Sequence, residues 1–275
     1  MKIDRTKNAG RNIVFGCMLK IYQIVMPFIM RTLMIYYMGI QYLGLNSLFT
    51  SILQVLNLAE LGVGSAMVYS MYKPIAVDDK KMICALMKLY RTYYRVIGII
   101  IAFLGLCLVP FIPKLIKSDV PADINIYILY ILNLSVTVLS YWLFAYKNCL
   151  LDAHQRTDVA SKVTLVTNTL QYIVQFFTLC FLKNYYAYII VSLAAQALTN
   201  ILTAVVTTHM YPDYRPEGNL SKEVISGINR RIRDLFTSKL GVVIVNSADT
   251  IVISAFLGLT MLAIYPVSYT HLTLP

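Results

Sequence analysis

The sequence is short of charge. Only 13% of its 275 residues are Asp, Glu, Lys or Arg, against about 25% in soluble domains. That is too little to cover a water-facing surface, which excludes an ordinary soluble domain. Histidine is scarce as well: His154, His209 and His271 stand apart, so no metal ligand set is expected and no cofactor is implied. The five cysteines (Cys17, Cys84, Cys107, Cys149, Cys180) are scattered singly without a CxxC spacing. They read as small core residues rather than a disulfide or redox framework. No catalytic constellation stands out, and the chain is not expected to be an enzyme. GVGSAM (residues 62–67) has the opening of a glycine-rich phosphate loop, but it follows no strand and lies inside an apolar run, where close packing explains it.

What the sequence has in abundance is long hydrophobic runs, in residues 13–37, 44–72, 96–116, 124–146, 161–182, 186–211 and 236–257. Each is long enough, at about 1.5 Å per residue, to cross about 30 Å of hydrocarbon. An outer-membrane barrel is excluded, because its strands alternate strictly whereas these runs are continuously apolar. The first run is too long for a cleavable signal and carries Lys20 and Arg31. The expected fold is an all-α polytopic membrane protein of seven spans and the start of an eighth.

A net charge of +11 invites a nucleic-acid reading, but the distribution of the charge argues for topology instead. With a cytoplasmic N-terminus, nineteen of the 24 basic residues fall on the inner side, in residues 1–11, 73–95, 147–162 and 212–239. Only Lys114, Lys117 and Lys183 fall outside. This asymmetry is the positive-inside pattern. It implies contact with membrane lipids and no nucleic-acid partner.

Residues 212–235 are the longest inner connection, Pro- and Gly-bearing at the start and Arg-rich at the end. They are expected to form a linker with an amphipathic helix at the membrane surface. An internal repeat is also visible. RTLMIYYM-GIQYLGLN (residues 31–46) aligns with DTIVISAF-L-GLTMLAIY (residues 249–265), matching Thr32 with Thr250 and Gly39 with Gly258. A repeat of this kind places the first and seventh helices parallel, as the charge asymmetry also requires. The expected organisation is a six-helix bundle over 1–211, a linker over 212–235 and the first helix of a second, truncated bundle over 236–265.

Projected as one helix, the second span gathers Asn46, Thr50, Gln54, Asn57, Glu60 and Gly64 on one face. The first does the same with Gly16, Lys20, Gln23, Pro27 and Arg31, and the seventh with Lys239, Asn246, Asp249 and Thr250. Such stripes face a protein interior or a watery cavity rather than lipid. The candidate cavity residues are therefore Lys20, Gln23, Arg31, Gln54, Asn57, Glu60, Asn246 and Asp249, with Pro27 as a candidate hinge. Two roles are open for Glu60, pairing with Lys20 or Arg31 and handling a substrate or ion. For Lys20 and Arg31 the alternative is snorkelling to an interface. Ala59, Gly62, Ala66 and Ser70 form a neighbouring small-residue face suited to close helix approach.

LNLAELGVGSAMVYSMYKP (residues 56–74) and SADTIVISAFLGLTMLAIY (residues 247–265) resemble the second- and seventh-helix signatures of bacterial polysaccharide flippases. Those proteins belong to the multidrug/oligosaccharidyl-lipid/polysaccharide exporter superfamily. The resemblance runs from about residue 2 to residue 265. It implies two helical bundles around a cavity that opens alternately to each side. Its first, second, seventh and eighth helices would line that cavity. It further implies an undecaprenyl-pyrophosphate-linked oligosaccharide as substrate, a coupling cation (H+ or Na+) and residence in the bacterial plasma membrane. After Tyr265 the sequence departs from the pattern. SYTHLTLP resembles a translated adapter tail, so residues 266–275 are expected to be non-native and the chain a fragment. A cation-coupled multidrug antiporter of the same superfamily is the nearest alternative function. A membrane enzyme of polysaccharide assembly fits less well, because the outer connections are too short to hold sugar chemistry.

Overall fold

The computed structural model describes residues 5–116, 120–121 and 123–263, apart from the side chains of Arg5, Lys7, Ala59 and residues 242–249. Every regular element among the described residues is helical. In chain order these are α1 (Arg5–Tyr37), α2 (Ile40–Leu56), α3 (Val63–Ala76), α4 (Lys80–Leu108), α5 (Ile126–Trp142), α6 (Tyr146–Ala153), α7 (Thr157–Phe177), α8 (Tyr185–Met210) and α9 (Lys222–Leu257).

Local chemistry sets the starts. Asp79, Asn125, Asn184 and Ser221 each accept backbone N–H groups at the head of α4, α5, α8 and α9. Each cap satisfies donors that a helix start leaves without an intrahelical partner. Four helical stretches are long and apolar enough to cross a membrane: Asn8–Tyr37, Lys80–Leu115, Thr157–Leu182 and Tyr185–Met210. The α5–α6 pair, bent by 52°, supplies a fifth if it is one span. Large apolar side chains such as Ile24, Phe28, Phe103 and Phe181 lie on the outside, as a hydrocarbon solvent requires. The chain is an all-α, multi-pass membrane protein.

The helices are tied by polar contacts between apolar faces. α1 packs on α7, where the Tyr22 hydroxyl donates to Thr169 Oγ1 at 2.9 Å. α7 joins α8 through Gln175 to Ser192 at 2.8 Å and Thr199 to Thr167 at 2.7 Å. α5 joins α8 through Asn200 to the Ser140 carbonyl at 3.0 Å. Glycine permits closer approach between α4 and α5, where Gly98 lies against Trp142 and Gly105 against Leu134.

Several sequence expectations need correction. The run 44–72 is not one helix: a 3-10 turn over Asn57–Glu60 and a left-handed Gly62 (φ 88°) separate α2 from α3. The single-helix projection of its polar stripe therefore fails beyond Leu56. Residues 80–95, read as part of an inner loop, already belong to α4. The surface helix of the linker and the seventh span are one continuous helix, α9. Of the cysteines, Cys84 and Cys149 are buried but Cys17 and Cys107 are exposed. α1 continues as one helix on both sides of Pro27.

The aligned glycines of the repeat do share a backbone role. Gly39 (φ 115°) separates α1 from α2, and Gly258 (φ 87°) separates α9 from the helical residues 259–263. Those two following segments touch each other: a Cβ on Gly44 would lie 2.9 Å from the Leu259 Cβ. Residues 264–275, including the tail expected to be non-native, lie outside the described residues.

Candidate functional site

The break in LNLAELGVG organises the interior. Once the chain turns at Asn57–Glu60, Gly62 takes a left-handed conformation that costs a residue with a Cβ about 1–2 kcal/mol. α3 then restarts, with the Ala66 N–H donating to the Gly62 carbonyl at 2.9 Å. The turn leaves Glu60 half-buried, pointing across to α4 and α5. The Tyr94 hydroxyl donates to Glu60 Oε1. The Tyr141 hydroxyl lies 2.7 Å from Glu60 Oε2 and 3.1 Å from Asn57 Oδ1. With one hydrogen to give, it serves the nearer, charged acceptor. Tyr90 packs edge-on against Tyr94 at 4.3 Å between ring centroids.

Glu60 thus finds neutral donors where a cation had been one of two expectations. Its side-chain partners among the described residues are Tyr94 and Tyr141. Lys20 and Arg31 do not pair with it.

Two cavities meet at this turn. The larger, about 680 Å³, lies between α3, α4, α5, α6 and α8. Among the described residues, Glu60 and Asp152 are its carboxylates and no basic residue lines it. Hydrogen-bonding groups come from Ser65, Ser140, Asn148, Gln196 and Asn200, and aromatic walls from Tyr69, Tyr72, Tyr90, Tyr94 and Tyr141. Asn148 Oδ1 is buried with no hydrogen-bond partner among the described residues, an acceptor that a ligand or water can satisfy. The smaller cavity, about 340 Å³, gathers Gln54, Asn57, Glu60 and Lys239. Glu60, Gly64 and Ser65 line both.

The candidate residues therefore separate into three groups. Gln54, Asn57 and Glu60 come together at the turn. Lys20, Gln23 and Arg31 are exposed along α1 and line neither cavity. Asn246 and Asp249 fall within α9, but their side chains lie outside the described residues. The small-residue face takes α9: a Cβ on Gly62 would meet Leu235 Cβ at 2.7 Å and the Ile232 carbonyl oxygen at 2.9 Å. Sequence reasoning missed the tyrosines. The signal was available in a total of 21 tyrosines and in the spacings Tyr69/Tyr72 and Tyr90/Tyr94, which place pairs on one helix face.

A family model for polysaccharide biosynthesis proteins matches residues 38–275. The chain belongs to that family. The match spans the Glu60 turn, the larger cavity and α9, and it extends through the ten C-terminal residues. No curated protein and no solved structure matches the chain. Membership places the protein in polysaccharide biosynthesis, and its helices place it in a membrane.

Proposed function

We propose that this protein is a flippase that moves an undecaprenyl-pyrophosphate-linked oligosaccharide across the bacterial plasma membrane by alternating access. Its N-terminus would be cytoplasmic, and it would work as a transporter rather than an enzyme. The observation that carries the reading is the larger cavity: about 680 Å³ inside a membrane-spanning bundle, walled by tyrosine rings and neutral hydrogen-bonding groups. A glycan presents hydroxyls to the amides and apolar C–H faces to the rings, so this lining suits it. In this reading residues 1–211 form one bundle and residues 236–265 begin a second.

One observation favours the cation-coupled drug antiporter as a second reading: among the described residues the cavity is lined by two carboxylates and no basic side chain. Proteoliposomes containing the protein separate the two. Transfer of a lipid-linked oligosaccharide to the opposite leaflet, read by accessibility to a lectin, is expected above protein-free liposomes. Cation-driven export of a lipophilic drug without such transfer would overturn the flippase reading in favour of the antiporter.

A further inference from the structure

A second opening lies where α3 ends and α9 begins, at the proposed cytoplasmic end. It is a groove of about 610 Å³ between α3, the start of α4 and the first turns of α9. Among the described residues Lys73 and Arg231 line it and no carboxylate does. The neighbouring cavity has the reverse composition among the described residues, Glu60 and Asp152 without a cation. Tyr69 and Tyr72 line both, so the two spaces meet at those rings.

The cations are arranged to receive an anion. The Arg231 guanidinium lies over the Tyr69 ring, 4.4 Å from its centroid, and Nη1 is 3.4 Å from Ser70 Oγ. Stacking fixes the plane of the guanidinium while its edge carries the N–H groups that grip phosphate oxygens in pairs. The exposed Lys73 ammonium makes no side-chain hydrogen bond or ion pair among the described residues, which leaves it available to an anion. The position of α9 is itself secured, because the Tyr93 hydroxyl donates to Asn229 Oδ1 at 2.6 Å. Met82, Leu86 and Ile228 supply an apolar floor beside the cations.

We propose that this groove seats the pyrophosphate of an isoprenoid-linked glycan, with Arg231 and Lys73 holding the anion and the apolar floor holding the first isoprene units. The glycan then passes the Tyr69–Tyr72 rim into the larger cavity, whose carboxylates repel the pyrophosphate. This inference rests on the flippase reading and deepens it. Charge complementarity selects the occupant, since the groove pairs two cations with an apolar surface and the cavity beyond repels anions.

The full chain in neutral detergent tests it, with radiolabelled farnesyl pyrophosphate as the probe and farnesol, inorganic pyrophosphate and phosphatidylglycerol as competitors. Arg231→Gln is expected to weaken probe binding about tenfold, the loss of one charge-assisted pair, and Arg231→Lys to restore part of it. Lys73→Gln should weaken binding by a smaller factor. Arg233→Gln, on the same helix but outside the groove, should leave it unchanged. Inorganic pyrophosphate should compete weakly, and farnesol and phosphatidylglycerol hardly at all. Unaltered binding in the Lys73→Gln/Arg231→Gln double variant overturns the proposal, as does phosphatidylglycerol competing as well as farnesyl pyrophosphate. Gel-filtration profiles check folding, and Lys73→Gln alone carries the test if Arg231→Gln misfolds. Intact, groove-dependent probe binding without oligosaccharide transfer would instead overturn the flippase reading and leave the anion site standing.

Discussion

Replacing Tyr141 with Phe removes one hydroxyl from the Glu60 turn and almost no volume, so it isolates the hydrogen bond. In soluble proteins a hydrogen bond to a charged group contributes about 1.5–3 kcal/mol. Interhelical hydrogen bonds in membrane proteins measure less, about 0.6 kcal/mol on average and about 1.7 at most, because the unfolded reference also finds partners. Glu60 Oε2 is a carboxylate oxygen 2.7 Å from the hydroxyl, and the bond joins α5 to the turn. The contribution should therefore sit near the top of the membrane range, at about 1.5 kcal/mol. In a Glu60→Gln background the same change meets a neutral acceptor and should cost about 0.6 kcal/mol. The coupling between the two positions is then about 1 kcal/mol. For a chain of this size the single change corresponds to a fall in Tm of about 3–6 °C. Thermal unfolding of the four proteins of this cycle, in one detergent, measures both quantities. Equal effects of Tyr141→Phe in the two backgrounds would refute the argument that the tyrosine acts through the carboxylate.

Gly62→Ala should destabilise by about 2–4 kcal/mol, since it combines a left-handed backbone with a collision against the Ile232 carbonyl, whereas Gly241→Ala, with nothing among the described residues within 4 Å, should be neutral or stabilising. The comparison is read by thermal unfolding. Gly98→Ala should displace Trp142, the sole tryptophan, and shift its fluorescence emission; an unchanged spectrum would show that α4 and α5 are not in this contact. His154 packs at a tilt against Tyr211, 4.5 Å between ring centroids, and lies 5.6 Å from Tyr214, and burial holds its imidazole below the ordinary 6.5. The unfolded state then binds more protons than the folded one below about pH 6.5, so this contact contributes fully above that pH and weakens as pH falls through it. Protection of residues 211–214 against hydrogen exchange, corrected for intrinsic rates, should drop between about pH 7.5 and about pH 5.5 in the parent and not in His154→Phe.

The spans were legible because hydrocarbon imposes a length on any apolar run that crosses it, and the runs at 161–182 and 186–211 reappear almost unchanged in α7 with its last turn and in α8. The break at residues 57–62 was not. Inside a long apolar run, Gly62 and Gly64 read equally well as packing residues, and only the tertiary fit of α9 against Gly62 shows why the chain turns there. In the linker the error ran the other way. Between Ile228 and Leu257 the lone breaker is Gly241, which a helix tolerates at about 1 kcal/mol, so the surface segment runs on into the span. Periodicity groups Lys20, Gln23 and Arg31 on one face of α1, and all three are exposed there, but a helical projection cannot say what that face meets.

The partners of Glu60 expose a deeper gap in reading charge from sequence. A carboxylate in a membrane suggests a cation, and Lys20 and Arg31 are the basic residues within the first span. Two phenol hydroxyls solve the same solvation problem without cancelling the charge. That difference governs what the cavity can hold. Had a lysine paired with Glu60, the site would be near neutral and could accept a pyrophosphate together with its sugars. With tyrosines as partners, and Asp152 lining the same space, the cavity suits a neutral polar ligand better than an anion, which in the flippase reading means the sugars rather than the pyrophosphate. A substrate carrying both must then be held at two places, with its phosphates outside the carboxylate field and its sugars within reach of the amides and rings. The Lys73–Arg231 groove lies on the far side of the Tyr69–Tyr72 rim, where such a division would place the anion.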